Sequence, residues 1–380
     1  MIDFGVPAFL PQLLLLPAFI LSAVGLSGFY RYFSKLVRFT KANSPYHLGE
    51  TPAVSVIVCL RNEVENLKLL IPALVEQDYF DFEVILVADR SEQSTLNFLQ
   101  QQKQRFSGLS ILEVVETPPG ISPKKHALTL GIQKAKNPVL LFTDADCLPA
   151  SRNWIRLMAS CYQKDTDIVL GYGAYRQEEN YLNLLVRYET MFTAGTYMGM
   201  ALDGQAYMGV GRNLSYRKSL FEKNDGFGLH CNILSGDDDL FINRLATSSN
   251  VAICTDPESY TLSIPSASFA HWLNQKIRHQ SAAIHYKPEI RNLLARFYGI
   301  HALSLVLRIL LFIFSGGWPA AIVLFPTFAI IWAISIKKIS SLFQEKFSIP
   351  IIIVLDVLYS FLLPFLAIKA ILNPPRNWEK

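Results

Sequence analysis

The apolar positions fall into three regimes along the chain, and each regime predicts a different kind of element. From Phe4 to Tyr30 there is no charged residue, and "PAFLPQLLLLPAFILSAVGLSGFY" is long enough to cross a hydrocarbon core of roughly 30 Å as one helix. Arg31, Lys35, Arg38 and Lys41 follow at once, with no acid among them. A cleaved leader carries its positive charge before the apolar run. The reversed order reads as a membrane anchor with the following residues on the cytoplasmic side.

Between residues 49 and 265 short apolar runs alternate with amphipathic stretches. "AVSVIVCL" (53–60), "FEVILVAD" (82–89), "LSILEVVE" (109–116) and "PVLLFTD" (138–144) suit parallel strands covered on both faces. "NEVENLKLLIPALVEQ" (62–77), "STLNFLQQQKQRF" (94–106) and "KKHALTLGIQKA" (124–135) place apolar residues at helical spacing. This β-α-β-α order predicts an α/β sheet that binds ligands at the carboxyl ends of its strands. Asp89 and Asp144 stand at two such ends.

Beyond residue 265 the pattern changes again. "ASFAHWLNQKIRHQSAAIHYK" (267–287) puts Phe269, Trp272, Leu273, Ile277 and Ile284 near one helical face. Lys276, Arg278, His279 and Lys287 supply a basic side. That predicts a helix lying on the membrane surface or packed on the domain. From Phe297 onward the chain is strongly apolar, with spans expected at about 297–315, 318–336 and 349–372. Arg308 interrupts the first of these, and Asp356 with Pro364 the last. One long tilted span over 309–336, or a re-entrant hairpin over 349–372, are the alternatives. The expected parts are an anchor with its basic flank (1–48), a cytosolic domain (49–265), an interfacial helix region (266–296) and a membrane region (297–380).

Composition agrees with a chain partly in lipid: 51% is hydrophobic and 17% charged, against roughly 25% charged in an average soluble domain. The net charge of +4 is too mild to argue for a nucleic-acid partner. The five cysteines are odd in number and form no CxxC or zinc-like spacing, which suits reduced thiols in the cytosol.

Four places carry candidate chemistry. Asp144 and Asp146 end a predicted strand one residue apart, and hard cations such as Mg²⁺ or Mn²⁺ are held by such carboxylates together with substrate phosphates. A solvated acidic turn is the alternative. Asp89 suits a nucleoside site or a helix cap. Lys124 and Lys125 start a helix, where phosphate binding is favoured, a solvated helix end being the alternative. Asp237, Asp238 and Asp239 crowd together after a Ser-Gly pair, and one of them could serve as a general base with a raised pKa; an acidic helix N-terminus is the alternative. The Gly-rich turn before Asn213 is a weaker signal.

Taken in order, "PAVSVIVCLRNE" (52–63), Asp89, "KKHAL" (124–128), "TDADCLP" (143–149), "GVGRNLSYRKSLF" (209–221), "GDDDLFINR" (236–244) and "QKIRH" (275–279) resemble the family 2 glycosyltransferases with a GT-A fold, over roughly residues 50–285. The membrane-bound members, such as the hyaluronan, cellulose and ceramide-glucosyl synthases, also flank this domain with spans. The resemblance implies a Rossmann-like mixed sheet with helices on both faces, and a multi-pass protein of the cell (inner or plasma) membrane. It implies that Arg61, Glu63 and Asp89 bind the nucleotide of a nucleotide-sugar donor, UDP in preference to GDP, and that Asn213 also faces substrate. Lys124, Gln275 and Arg278 would serve the diphosphate. Asp144 and Asp146 match the DxD motif, Asp146 being the metal ligand foremost. Asp237 and Asp238 fall on the family's acidic pair, which makes Asp238 the base of an inverting transfer to a lipid, lipid-linked or glycan acceptor. The family's QxxRW motif ends here in His279 instead of Trp, which weighs against processive elongation. A processive polysaccharide synthase coupled to export, and an inactive nucleotide-sugar-binding partner of a membrane complex, are the competing expectations.

Overall fold

The computed structural model describes residues 10–42, 51–314 and 319–373. The first helix, α1 (Leu10–Ala42), carries the apolar run from Leu10 onward and then the basic cluster. Its first half exposes Leu13, Leu16 and Phe19, whereas its second half buries Phe29, Tyr32, Phe33 and Leu36 in the main core. The basic cluster therefore also acts as a clasp: Arg31 Nη2 lies 2.6 Å from Asp203 Oδ2, and Lys35 pairs with the same carboxylate. Residues 1–9 and 43–48 of the expected anchor segment lie outside the described residues.

The predicted alternation follows as β1 (Val54–Leu60), α2 (Val64–Val75), β2 (Phe82–Asp89), α3 (Gln93–Arg105), β3 (Leu109–Val114), α4 (Pro123–Lys134) and β4 (Val139–Phe142). These strands pair in parallel in the order β3-β2-β1-β4. Their apolar runs are continuous because both faces are covered. Val56 and Val58 pack with Leu70 and Leu74 of α2, while Ile57 and Val87 pack with Ala127 and Ile132 of α4. After β4 come β5 (Cys147–Pro149), α5 (Trp154–Ala159), β6 (Ile168–Leu170), β7 (Gly173–Tyr175) and α6 (Tyr181–Ala201). Then follow β8 (Leu214–Arg217), α7 (Lys218–Lys223), α8 (Asp239–Leu245), β9 (Val251–Ile253) and β10 (Thr261–Ser263). β8 enters antiparallel beside β4, and β6 and β9 complete a mixed seven-stranded sheet. β5, β10 and β7 form a small second sheet just past the DxD residues.

The C-terminal part is helical: α9 (Phe269–Ala283), α10 (Pro288–Phe314), α11 (Pro319–Leu342) and α12 (Ile349–Leu372). The Ser268 hydroxyl caps α9 by accepting from the His271 N–H at 3.2 Å. Trp272 is fully buried against Tyr175 and Val186, so this face of α9 packs on the domain, while Phe269 and Ile284 stay exposed. One expectation needs correction. The boundary drawn between 296 and 297 falls inside α10, which starts at Pro288 because proline suits the first helical turn and needs no N–H partner there. The span expected over 349–372 is α12, one helix through Pro364, so the hairpin alternative falls. With α1, the helices α10, α11 and α12 make four among the described residues that are long and apolar enough to cross a membrane. Arg308 and Asp356, inside α10 and α12, are buried in the bundle. His301 Nε2 lies 3.2 Å from Asp356, the Tyr188 hydroxyl donates to Asp356 at 3.2 Å, and Arg308 Nε donates to the Ser304 carbonyl.

Candidate active site

β4 ends at Phe142, and the chain leaves the sheet through Thr143 to Asp146. This delivers Asp144 and Asp146 to the rim of a cavity of about 1670 Å³. One carboxylate oxygen of each, and Cys147 Sγ, lie within 4.8 Å of one another. Burial, and then the neighbouring Asp146, push the Cys147 thiol well up, and its sulfur lies 2.9 Å from Ser263 Oγ. A protonated thiol is a poor ligand, so the donor set is two carboxylates, which fits a hard divalent ion such as Mg²⁺ or Mn²⁺. Burial first, and then Asp144, raise the Asp146 pKa. A bound cation would relieve both effects.

Lys124, in the first turn of α4, lies 3.3 Å from Asp144 Oδ1 and 2.9 Å from Asp237 Oδ2. Burial alone would discharge its ammonium, but Asp144, Asp237 and Asp238 outweigh that and keep it charged. Lys125 has a different task. Its ammonium donates to the carbonyls of His230, Ile233 and Ser235 at 2.6–2.9 Å, which fixes the loop that leads into the acidic triplet. Gly236 follows with φ +83°, and a Cβ there would meet the Leu240 side chain at 2.5 Å. Only glycine fits this turn.

The three aspartates then diverge. Burial acts to raise Asp237, but Lys124 and Lys125 overcome it and hold this carboxyl below its ordinary value. Asp238 caps α8; it accepts the Gly211 N–H at 2.7 Å and the Asp239 N–H at 2.8 Å. Burial and the charge of Asp237 raise its pKa. Asp239 accepts the Leu240 N–H and the Tyr286 hydroxyl, both at 2.7 Å. Burial and then Asp238 lift it to about 7.

On the donor side Asp89 is buried at the end of β2 and holds the Arg90 guanidinium in a bidentate pair at 2.8 and 2.9 Å. Asp89 lines the cavity with exposed Arg61 and half-buried Glu63, whose carboxylate accepts from Asn66 Nδ2 at 2.7 Å. From the other side α9 presents Gln275, Arg278 and His279 to the same cavity. Gln275 Oε1 is buried with no hydrogen-bond partner among the described residues, as are the hydroxyls of Tyr172 and Ser360, which line the same cavity. His279 is exposed and lines the cavity. The protein around it, and then Arg278, Lys276, Arg212 and Lys124, keep its imidazole neutral.

A sequence model described as glycosyltransferase like family 2 matches residues 52–282, more than half of the chain. The protein is a family 2 glycosyltransferase. Its fold is similar to that of a mannosyltransferase from Pyrobaculum calidifontis, solved with GDP-Man and Mn²⁺, at TM-score 0.62 and 17% identity, covering 95% of this chain and 100% of that one. Among curated relatives, a glycosyltransferase AglE of Haloferax volcanii is 30% identical over 106 residues, 27% of this chain. A poly(ribitol-phosphate) beta-glucosyltransferase of Bacillus spizizenii is 28% identical over 122 residues, 31% of this chain. The matched segments span only 33% and 18% of those two proteins.

Within this glycosyltransferase one expected site residue turns away from substrate. The Asn213 side chain is fully buried: it donates to the Tyr172 and Ser259 carbonyls at 3.0 and 2.8 Å and accepts from Trp154 Nε1 at 3.0 Å. It ties α5 to the turn and does not line the cavity. Its neighbour Arg212, which sequence reasoning passed over, does. The Arg212 guanidinium sits 4.3 Å from the Tyr175 ring centroid, and its Nη1 donates to Ser263 Oγ at 2.9 Å. Its signal was an arginine inside a Gly-rich turn. Glu189 was also missed; it pairs with Lys276 and so joins α6 to α9. Nothing in the local sequence of α6 marked it.

Proposed function

We propose that this enzyme is membrane-anchored and moves one sugar from a nucleotide-sugar donor to a lipid acceptor with inversion at the anomeric carbon, its catalytic domain lying on the cytoplasmic side of the cell membrane. The observation that carries the reading is the meeting of Asp144, Asp146, Lys124 and the Asp237–Asp239 triplet at one cavity, opposite Gln275 and Arg278. The fold neighbour holding GDP-Man and Mn²⁺ supports a nucleotide-sugar donor and a divalent ion.

In this reading Asp89, Arg61 and Glu63 receive the nucleoside end of the donor. Asp144 and Asp146 hold the divalent ion, which neutralises charge on the diphosphate when bound. Lys124 and Arg278 stabilise the charge that develops on the leaving diphosphate as its bond to the anomeric carbon breaks. Asp238 takes the proton from the acceptor hydroxyl while the oxygen forms the new bond from the opposite face. Asp238 suits the base better than its neighbours do. Asp237 is bound to Lys124, and Asp239 is tied to Tyr286. His279, standing where the family often has Trp, supports a single transfer over processive elongation.

The test is a screen of UDP- and GDP-sugars for nucleoside diphosphate release by the purified protein in lipid bilayers, with Mn²⁺, with Mg²⁺, and with excess chelator. Release from one donor that stops on chelation supports the reading. Full release in chelator would remove the metal from it, and no release from any donor would remove the transfer.

A further inference from the structure

Besides Lys124 and Arg278, a third cation lines the cavity in a built setting. This is Arg212, half-buried in the turn between α6 and β8. Three contacts hold its side chain. It runs along Gly173 of β7, where a Cβ would meet Arg212 Cβ at 3.1 Å and Nε at 3.3 Å, so a larger residue at 173 would crowd it. The Tyr175 ring faces its guanidinium, 4.3 Å from Cζ to the ring centroid. Ser263 Oγ accepts from its Nη1 at 2.9 Å. A guanidinium carries more N–H donors than this one bond uses. Lys124, Arg90 and Lys276, on the same cavity wall, are each paired with a carboxylate. Arg212 has no carboxylate partner among the described residues. A cation fixed in this way, with its remaining donors unused, is complementary to an anion of the substrate.

Its neighbours indicate which anion. The preceding residue, Gly211, donates its N–H to Asp238 Oδ2 at 2.7 Å. On the other side Ser263 Oγ lies 2.9 Å from Cys147 Sγ, and the Cys147 thiol donates to Asp146 Oδ1 at 3.4 Å. Arg212 therefore links the carboxylate that faces the acceptor to the carboxylates that suit a divalent ion. A diphosphate seated at Asp144 and Asp146, with its sugar turned toward Asp238, puts the scissile bond between these two stations. As that bond breaks, its electron pair goes to the β-phosphate oxygen. The acceptor oxygen bonds to the anomeric carbon, and Asp238 takes the acceptor's proton. Negative charge thus grows on the phosphate, beside Arg212. A planar fork matches phosphate oxygens, and a cation already in place needs no reorganisation as the charge develops.

We propose that Arg212 is a catalytic residue that donates to the β-phosphate of the sugar donor as it leaves, with Gly173, Tyr175 and Ser263 positioning it. The proposal rests on the reading of the protein as a sugar transferase. A carboxylate on the transferred sugar and a phosphate on the acceptor are the other anions a guanidinium could read. The β-phosphate is the one that every nucleoside diphosphate sugar carries.

The test compares wild type with Arg212→Gln and Arg212→Lys, each as the full chain in lipid bilayers with Mn²⁺. Calorimetric titrations set UDP against UMP, or GDP against GMP where the active donor is a GDP-sugar. Arg212→Gln should weaken the diphosphate about tenfold, leave the monophosphate within about twofold of wild type, and slow single-turnover transfer about 10²–10³-fold. Arg212→Lys, which keeps the charge without the fork, should recover part of both losses. Should the Gln variant fail to fold, the Lys variant must still lower the ratio of diphosphate to monophosphate affinity. Equal losses for the two nucleotides would make Arg212 structural. A loss confined to uronosyl donors would move it to the sugar, and one confined to the acceptor KM would move it to the acceptor. Each of these, like no loss at all, overturns the proposal. Nucleotide release by wild type separates the two claims. Release together with variants that behave as wild type sinks the role of Arg212 alone, and no release from any donor sinks the transferase reading beneath it.

Discussion

Asp237, Asp238 and Asp239 are consecutive, yet their surroundings give each a different state. The folded chain keeps the Asp239 proton up to about pH 7, where an unfolded aspartate releases it near 3.8. The folded state therefore binds more protons across that window, and raising the pH through it removes stability. Asp239→Asn keeps a neutral side chain at every pH. Its melting temperature, compared with wild type, should rise in the variant's favour between pH 5 and pH 8, and a constant difference would contradict the assignment. Asn213 supplies a second residue-scale prediction. Asn213→Ala strands the Trp154 N–H and two carbonyls in the core, which should cost about 2–4 kcal/mol in denaturant unfolding and leave the donor KM unchanged. A raised KM without lost stability would return Asn213 to the substrate. The sequence could suggest that a polar residue after a Gly-rich turn matters, but not which way it points. That direction depends on Trp154, 59 positions away in the chain.

At the scale of elements, the strands were the most legible part. β1, β2 and β4 read as strands because their runs are nearly continuous in apolar residues; β2 ends at Asp89, and β4 ends at Phe142, two residues before Asp144. α6 was invisible for the opposite reason. It is buried on nearly every side, so "YLNLLVRYETMFTAGTYMGMA" shows no amphipathic stripe to find. This unseen helix carries Glu189, whose pairing with Lys276 sets α9 over the site. Both side chains are largely buried, so removing one partner leaves the other charge uncompensated. Lys276→Met should destabilise the protein by about 3–5 kcal/mol, and adding Glu189→Leu should recover most of that. Thermal melts of the single and double variants check this. Two single-variant losses that simply add in the double would mean that the pair does not hold α9.

At the scale of the molecule, the sheet and the four apolar helices share one core. Phe29 and Phe33 of α1 touch Phe192 of α6, and Phe29 stacks near Trp332 of α11. The anchor is thus part of the catalytic domain's packing rather than a tether. Deleting it should leave a domain that fails to fold in solution, read as aggregation on size exclusion. A monodisperse soluble domain would contradict this. The proposed orientation makes a separate prediction. A Cys placed at exposed Ser249 should react with an impermeant maleimide only after the cell membrane is opened. The organisation of the membrane region was legible only as apolar length, since where helices break depends on packing and on proline at helix starts.

The central claim is that the acidic stations at one cavity move a sugar, with Asp238 as the base. The most direct measurement is single-turnover transfer of labelled sugar into the lipid fraction by Asp238→Asn protein in bilayers, with donor affinity measured on the same sample. A loss of about 10²–10⁴-fold in the transfer rate with donor affinity preserved is the result this account predicts. Transfer at the wild-type rate would contradict it.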